Sequence, residues 1–253
     1  MNVLANDGIS KSGIESLEKA GFNVITTTVA QEQLIEYINN CQIDVILVRS
    51  ATKVRKDIID SCPSIKIIGR GGVGMDNIDV DYAKSKNIKV INTPAASSAS
   101  VAELVFAHLF GGVRFLYDSN RNMPLDGDSK FKELKKNYGG GRELRGKTLG
   151  IVGLGRIGQE VAKIGIGCGM KVIASDKFME TTTIQLEFYD NQKLDFNIKT
   201  IPFEELLSES DFISVHVPAQ NNYIFGKTEF SKMKDGAAII NAARGGVIDE
   251  VAL

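Results

Sequence analysis

One segment, residues 147–176, constrains the fold more than any other, because it places a strand, a glycine turn, a helix and a second strand in order. Thr148–Val152 is a short apolar run of the kind that forms a buried strand. Gly153, Gly155 and Gly158 follow at the spacing G-x-G-x-x-G, and the next residues carry apolar side chains near helical spacing. This order is typical of a βαβ unit, whose two strands belong to one parallel sheet.

The same segment has the features that a dinucleotide needs. Gly153 allows a tight turn, Gly155 lets a pyrophosphate approach the backbone, and Gly158 lets the helix pack closely on the strand. The start of the helix presents unpaired N–H groups and a partial positive charge to phosphates. Asp176 lies 18 residues after Gly158, where a carboxylate accepts the adenosine ribose hydroxyls and repels the additional phosphate of NADP. We therefore predict NAD as the cofactor; the alternative is an α/β turn that binds nothing.

The composition is that of a soluble globular protein with one large domain or two of ordinary size, since 43% of the 253 residues are hydrophobic and 24% are charged. A formal net charge of -1 gives no general attraction to nucleic acid or to an anionic membrane. Three scattered cysteines without C-x-x-C spacing indicate neither a disulfide framework nor a metal site. We expect no targeting signal and no membrane span, and we predict a cytoplasmic protein.

Strands and helices alternate on both sides of the glycine motif, which predicts an α/β fold with two doubly wound parallel-sheet domains. Before the motif, strands are predicted at 2–5, 23–27, 44–48, 66–68 and 88–92, with helices at 11–20 and 31–39. After it, helices are predicted at 203–208 and 228–233, and strands at 211–217 and 237–241. We expect a flavodoxin-like first domain and a Rossmann second domain.

The boundary between the domains is predicted near Pro94, where a run of small residues interrupts the alternation and precedes a long apolar helix at 101–117. This divides the chain into domains at 1–94 and 95–253. Residues 118–142 are polar, contain a proline and end in three glycines, which indicates a segment that projects from the globule. A dimerisation arm is one use for it.

Ligands of such sheets bind at the carboxyl ends of the strands, so the loops that follow the strands are the candidate sites. After the strand 44–48, Arg49, Ser50 and Lys53 offer a guanidinium, a hydroxyl and an ammonium, which suit a phosphate or a carboxylate. A solvated loop held by salt bridges explains the same residues equally well.

A glycine-rich loop follows the strand 66–68, and its glycines, Gly71 and Gly72 among them, would leave backbone N–H groups open to a substrate carboxylate. The alternative is a glycine turn capped by Asp76 or Asn77.

Arg244 follows the last predicted strand and precedes two glycines, which makes it the best catalytic candidate, although taken alone it is also compatible with a surface arginine. Hydride transfer to or from an alcohol usually needs a group of near-neutral pKa to move the proton, which directs attention to the two histidines. His108 lies in an apolar helix and is predicted to be a packed structural residue. His216 lies at a strand end near the predicted cofactor, although a structural or supporting role is favoured.

Taken together, these residues resemble the D-isomer-specific 2-hydroxyacid dehydrogenase family over essentially the whole chain. Six ordered blocks carry the resemblance: LVRSATKV (47–54), GRGGVGMDNID (69–79), INTPAASSASVAEL (91–104), ELRGKTLGIVGLGRIG (143–158), DFISVHVP (211–218) and INAARGGVIDE (240–250). The resemblance implies a substrate domain, an NAD domain whose helix and arm (118–142) pair two subunits, and a homodimer or homotetramer.

The resemblance also implies a role for each block. Arg49 and Ser50 would lie near a substrate phosphate, and Gly71, Gly72 and Val73 near the substrate carboxylate and the nicotinamide. Arg244 would bind the carboxylate and the carbonyl oxygen and stabilise charge as the hydride moves. The cofactor contacts implied are Val73, Gly153, Gly155, Arg156, Ile157, Gly158, Asp176, His216, Val217, Pro218, Ala242, Ala243 and Arg244, and no metal is implied.

The implied reaction is NAD-dependent oxidation of 3-phospho-D-glycerate to 3-phosphohydroxypyruvate, which makes a small phosphorylated 2-hydroxy or 2-keto acid the expected partner. Two alternatives stay open, a related reductase acting on glyoxylate, hydroxypyruvate or D-lactate, and an NAD-sensing protein of the corepressor type. The catalytic glutamate and histidine of the family are expected a few tens of residues after the arginine block, and the sequence stops before them. We therefore expect a truncated chain with some uncovered apolar surface in the first domain.

Overall fold

Five parallel strands form the sheet of Met1–Ser97, the first of two units in the computed structural model, which describes all residues from 1 to 253. The strands are β1 (Asn2–Ala5), β2 (Asn23–Ile25), β3 (Ile43–Val48), β4 (Ile67–Arg70) and β5 (Lys89–Asn92), in the spatial order β2-β1-β3-β4-β5. The helices between them are α1 (Lys11–Lys19), α2 (Leu34–Asn40), α3 (Lys56–Ser61) and α4 (Val80–Ser85). The flavodoxin-like strand order confirms the predicted fold class.

The central strand of this sheet, β3, has the sequence of a strand that helices cover on both faces. Its sequence, IDVILV, is nearly all apolar, as expected for a parallel strand covered by helices on both faces. Ile46 and Val48 are buried, and Leu34, Ile38 and Ile58 of the helices pack into the same cluster. The strand is therefore held rigidly, and the loop after it leaves the sheet at a fixed point.

The second unit, Ser98–Leu253, contains a four-stranded parallel sheet and a separate two-stranded one. Its strands are β6 (Thr148–Val152), β7 (Lys171–Ser175), β8 (Thr181–Glu187), β9 (Lys193–Lys199), β10 (Phe212–Val215) and β11 (Ala238–Asn241). Its helices are α5 (Ser98–Val113), α6 (Leu116–Tyr138), α7 (Arg156–Gly167), α8 (Phe203–Glu209) and α9 (Lys227–Phe230). The parallel strands follow the order β11-β10-β6-β7, and β6, α7 and β7 form the predicted βαβ unit.

The antiparallel hairpin β8–β9 is absent from the sequence prediction. Its signal was present, because both strands alternate apolar and polar residues around a short polar turn. Ile184 and Ile198 lie on one face of the hairpin and are buried in the cluster that contains α7 residues.

The segment after α5 also differs from the prediction. The helix predicted at 101–117 runs from Ser98 to Val113, and Phe115, with φ 53°, separates it from α6. Residues 116–138 form two helical stretches, which meet at a kink at Lys130 (φ -117°, ψ 20°), rather than an irregular segment, although only Leu134 is buried. Pro124 removes one intrahelical hydrogen bond from the first stretch, and the Lys- and Leu-containing run at 130–136 favours helix in the second.

Other differences are local. His108 is exposed on α5, so the predicted packed role is wrong; the buried stripe of the helix, which includes Val105 and Leu109, passes beside it. The two units separate between Ser97 and Ser98, where α5 begins, a few residues after the predicted boundary at 94. No single helix has the length and apolarity to cross a membrane, and one bent pair, α5 with α6, satisfies these two criteria jointly.

Candidate cofactor and substrate sites

The carboxyl ends of β6, β7 and β10 surround a cavity of about 640 Å³ in the second unit. Six residues predicted to contact the cofactor line it: Gly153, Gly155, Asp176, His216, Val217 and Pro218. Three aromatic residues complete its walls, namely Phe178, Phe203 and Tyr223. Sequence reasoning missed these three, although Phe178 stands only two residues after Asp176 and almost its whole side chain is exposed.

The glycines of the motif divide into two structural roles. Gly153 has φ +93°, and a Cβ there would lie 2.7 Å from the carbonyl oxygen of His216. A Cβ on Gly158 would collide with the carbonyl oxygen of Gly153. No atom lies within 4 Å of the Cβ position of Gly155, so the space in front of this residue is open. Gly153 and Gly158 are therefore required by packing, and Gly155 leaves room for a ligand.

The start of α7 has the properties of a phosphate site. Gly155 is the N-cap residue, no side chain caps the helix, and its first turn has no acidic residue. Arg156 and Ile157 are the first two helical residues, exposed and half-buried respectively. Because the first N–H groups of a helix lack intrahelical partners, those of α7 are available to an anion.

Asp176 is positioned by the backbone around it. Its Oδ2 accepts from Leu154 N at 2.7 Å, and its Oδ1 accepts from Phe178 N at 2.8 Å and Met179 N at 3.1 Å. These bonds hold the carboxylate at the end of β7, beside the glycine turn and at the wall of the cavity, and its contact with the ribose stays a prediction.

His216 lies just beyond β10 and is an unsuitable base. Its Nε2 is 2.7 Å from Ser214 Oγ, and its buried Nδ1 has no hydrogen-bond partner. Burial lowers the pKa of His216 from 6.5 to about 4, so the ring is neutral at physiological pH. A neutral ring that borders the cavity fits the predicted supporting role better than proton transfer.

Arg244 lies in the loop after β11, together with Ala242 and Ala243, and all three are half-buried. The side chain of Asn241 fixes this loop, because its Nδ2 donates to Arg244 O at 2.9 Å and its Oδ1 accepts from Ala243 N at 3.0 Å. Arg244 Nη1 donates to Ala243 O at 2.8 Å. Sequence analysis did not identify Asn241 as the residue that orders the loop.

A second cavity, of about 690 Å³, lies within the first unit at the carboxyl ends of its strands. Arg49 and Gly71 line it as candidates, together with Arg70, which sequence analysis had passed over although it ends β4. Arg70 Nε donates to Asn77 Oδ1 at 2.9 Å, and a Cβ on Gly72 would collide with the Arg70 guanidinium. Glycine at position 72 therefore leaves room for this arginine.

Asp7 fixes the loop that contains Arg49 through hydrogen bonds. The Asp7 carboxylate accepts from the backbone N–H groups of Arg49 and Thr52 and from the Thr52 hydroxyl. Burial by itself raises the pKa of Asp7, but these hydrogen bonds outweigh it and lower the pKa. Ser50 and Lys53 are exposed on the same loop and do not line the cavity.

The glycine loop after β4 differs from the anion nest that the sequence predicted. Gly71 N donates to Val48 O at 2.9 Å, and Gly72 N donates to Thr93 Oγ1 at 2.8 Å. The predicted open N–H groups at Gly71 and Gly72 are therefore wrong, because neighbouring strands satisfy them. Val73 is exposed and lines neither cavity, so its predicted contacts stay a prediction.

Comparison with known proteins assigns this architecture to a family. Residues 106–253 match the family described as D-isomer specific 2-hydroxyacid dehydrogenase, NAD binding domain. A hydroxypyruvate reductase of Thermotoga maritima is 42% identical over 254 residues, which cover 99% of this chain and 76% of that protein. The chain belongs to the D-isomer-specific 2-hydroxyacid dehydrogenase family.

Two further relatives of this dehydrogenase are informative. A D-3-phosphoglycerate dehydrogenase of Archaeoglobus fulgidus is 39% identical over 256 residues, which cover 100% of this chain and 45% of the relative. The structure of a 3-phosphoglycerate dehydrogenase of Entamoeba histolytica with bound NAD+ superposes with a TM-score of 0.74 at 32% identity and covers 100% of this chain and 74% of that one. The chain thus spans less than half of the archaeal relative.

The cofactor of this dehydrogenase is NAD, as predicted. The residues present fit the cofactor, since the cavity has an open glycine, an uncapped helix start and a fixed carboxylate at separate points. These three features match the pyrophosphate and the adenosine ribose.

Proposed function

We propose that this dehydrogenase oxidises 3-phospho-D-glycerate to 3-phosphohydroxypyruvate, the first step of serine synthesis. The observation that carries the proposal is that two arginines, Arg49 and Arg70, line one cavity of the first unit. A guanidinium binds phosphate through two parallel hydrogen bonds, and two of them match the charge of a phosphate monoester. The archaeal relative, named D-3-phosphoglycerate dehydrogenase, supports the same substrate.

The second unit is proposed to bind NAD through three contacts. The first N–H groups of α7, at Arg156 and Ile157, take the pyrophosphate. Asp176 accepts from the adenosine ribose, with its carboxylate already oriented by backbone donors. His216, Val217 and Pro218 form the wall of the cavity beyond β10.

When bound, NAD would supply the acceptor for the hydride that leaves C2 of the hydroxy acid. Arg244 is proposed to bind the substrate carboxylate and the C2 oxygen, so that its positive charge stabilises the negative charge that grows on this oxygen. The bonds from Asn241 hold the Arg244 loop in one conformation before substrate arrives. The hydroxyl proton is not assigned to His216, because a base with a pKa of about 4 is too weak to accept it at neutral pH.

A reductase acting on unphosphorylated hydroxypyruvate is the second candidate, because the Thermotoga maritima relative named hydroxypyruvate reductase is 42% identical. The two candidates differ in the groups that they need in the first unit. A phosphorylated substrate has a phosphate that both arginines of the cavity can bind, whereas an unphosphorylated substrate has only a carboxylate.

The proposal is tested by titrating 3-phospho-D-glycerate and D-glycerate into the NADH-loaded chain in a calorimeter. Arg49→Gln and Arg70→Gln should each weaken the binding of 3-phospho-D-glycerate by about 10- to 150-fold, since a charged hydrogen bond contributes roughly 1.5–3 kcal/mol. Lys53→Gln is the matched control, because Lys53 lies on the same loop outside the cavity. Equal binding of the two acids by the wild-type chain would favour the hydroxypyruvate reductase instead.

We also propose that α5 and α6 form a dimer interface, as the resemblance implies. Large apolar side chains are exposed along the two helices: Leu104, Phe110, Leu116, Tyr117, Leu125 and Phe131. An exposed apolar surface of this kind is typical of a protein interface. A Leu125→Lys, Phe131→Lys double variant should therefore lower the mass measured by sedimentation.

A further inference from the structure

The β8–β9 hairpin is a feature of the second unit that cofactor binding does not explain. It lies between β7 and α8, and the burial of Ile184 and Ile198 against the α7 cluster fixes its position. β8 pairs with β9 alone, so its other edge has no neighbouring strand. A two-stranded sheet is only marginally stable by itself and gains from additional strands.

The hydrogen-bonding pattern of the hairpin shows which backbone N–H and C=O groups point outward at this edge. Phe188 N donates to Gln192 O and Thr200 N donates to Glu180 O, each at 2.9 Å, in the register that pairs Ile184 with Phe196. Because bonded and non-bonded pairs alternate in an antiparallel ladder, the even-numbered residues of β8 bond to β9. The odd-numbered residues direct their N–H and C=O groups outward, and all four are exposed: Thr181, Thr183, Gln185 and Glu187.

The edge lacks the protection that natural sheet edges usually have. β8, TTTIQLE, contains no proline, lysine or arginine, and its β-branched residues favour extended structure. Its only charged residue, Glu187, is paired with Lys193 at 3.3 Å. The seven residues form a regular strand without a bulge, opposite all seven residues of β9. This edge is therefore suited to pairing with another strand.

We propose that β8 pairs antiparallel with β8 of a second copy of this chain, about a twofold axis at Ile184. In this register Thr181 faces Glu187 of the second copy and Thr183 faces Gln185, so all the outward backbone groups find partners. Ile184 lies on the axis itself, and its side chain stays on the buried face of its own hairpin, so the contact is made by the backbone and by the exposed odd-numbered side chains. The product is a four-stranded antiparallel sheet.

The charges along the strands favour a second copy as the occupant. Glu187 of one copy would face the uncharged Thr181, whose neighbour on the other side is Lys199. Glu187 thus lies beside its own Lys193, and only β8 of the second copy separates it from the Lys199 of that copy, so no like charges face each other across the axis. This interface involves neither α6 nor a substrate, so it is independent of the proposed function.

The test measures mass by sedimentation for the wild-type chain and two variants. Thr183→Lys with Gln185→Lys places lysines opposite each other across the axis, and the mass should fall at least twofold. Asn197→Lys is the matched control, because Asn197 is exposed on the same polar face but belongs to β9, and its mass should equal that of wild type. Circular dichroism verifies that the three proteins are equally folded.

Cross-linking tests the register itself. In a background with Cys41→Ser and Cys168→Ser, a mixture of the Thr183→Cys and Gln185→Cys variants should form an intermolecular disulfide that neither variant forms alone. Equal masses of the wild type and the double-lysine variant, or no cross-link in the mixture, would overturn the proposal. A fall in mass for Asn197→Lys as large as that of the double-lysine variant would also overturn it.

Discussion

Replacing Asp176 with alanine tests the proposed cofactor site at one side chain. The carboxylate has about four lone-pair positions, and three accept backbone N–H groups, those of Leu154, Phe178 and Met179. About one strong hydrogen bond to the ribose therefore remains, which contributes roughly 1.5–3 kcal/mol because the acceptor is charged. Asp176→Ala should then weaken NADH binding by about 10- to 150-fold. NADP binding should weaken much less, because the repulsion of its extra phosphate disappears together with the carboxylate.

Fluorescence titration with NADH and NADPH measures both affinities, and their ratio separates recognition from a merely structural effect. Loss of the three backbone contacts alone would weaken both nucleotides equally. Asp190→Ala is the control for net charge, because Asp190 lies in the exposed hairpin turn. An unchanged NADPH to NADH affinity ratio in Asp176→Ala would refute the ribose assignment.

Two further predictions concern stability. Gly158→Ala should lower the free energy of unfolding by about 1–3 kcal/mol, because its Cβ collides with the Gly153 carbonyl. Gly167→Ala on the same helix has open space around its Cβ and should be neutral or stabilising. Urea titrations of both variants measure these changes, and equal effects of the two substitutions would contradict the prediction. The folded-state pKa of His216, about 4, lies below its ordinary 6.5, so the unfolded chain binds the proton first and stability should fall as pH drops from about 6.5 toward 4, by up to about 3 kcal/mol. His216→Gln should flatten this dependence between pH 6.5 and 4.5, and an unchanged slope would show that another group is responsible.

Much of the nucleotide site was predictable because its residues are close in sequence. The glycines, the start of α7 and Asp176 all belong to one βαβ unit, whose geometry follows from local spacing. The aromatic walls were not predictable, since Phe203 and Tyr223 reach the cavity only through the packing of α8 and the segment after β10. In the first unit, Arg49 was found from its position after β3, while Arg70 was missed because its neighbours suggested a glycine turn.

Errors in the prediction arose where a local signal competed with tertiary contacts. The glycine loop after β4 offered open N–H groups in sequence, but Thr93, which follows the adjacent β5, accepts from Gly72. His108 lies in an apolar stretch, yet its side chain is exposed at the mouth of a cavity between α5 and β11. Neither outcome follows from residue types alone, because both depend on which element lies beside the loop or helix.

The sequence alone determined the doubly wound class, the cofactor and the strand ends that carry the candidate residues, because these follow from hydrophobic periodicity and from glycines at fixed spacing. Tertiary structure decided which of those candidates share a cavity and which backbone donors are already used. It also decided the protonation of His216, whose pKa is lowered by burial. Burial and long-range hydrogen bonds join residues that are distant along the chain, and local spacing carries no information about such pairs.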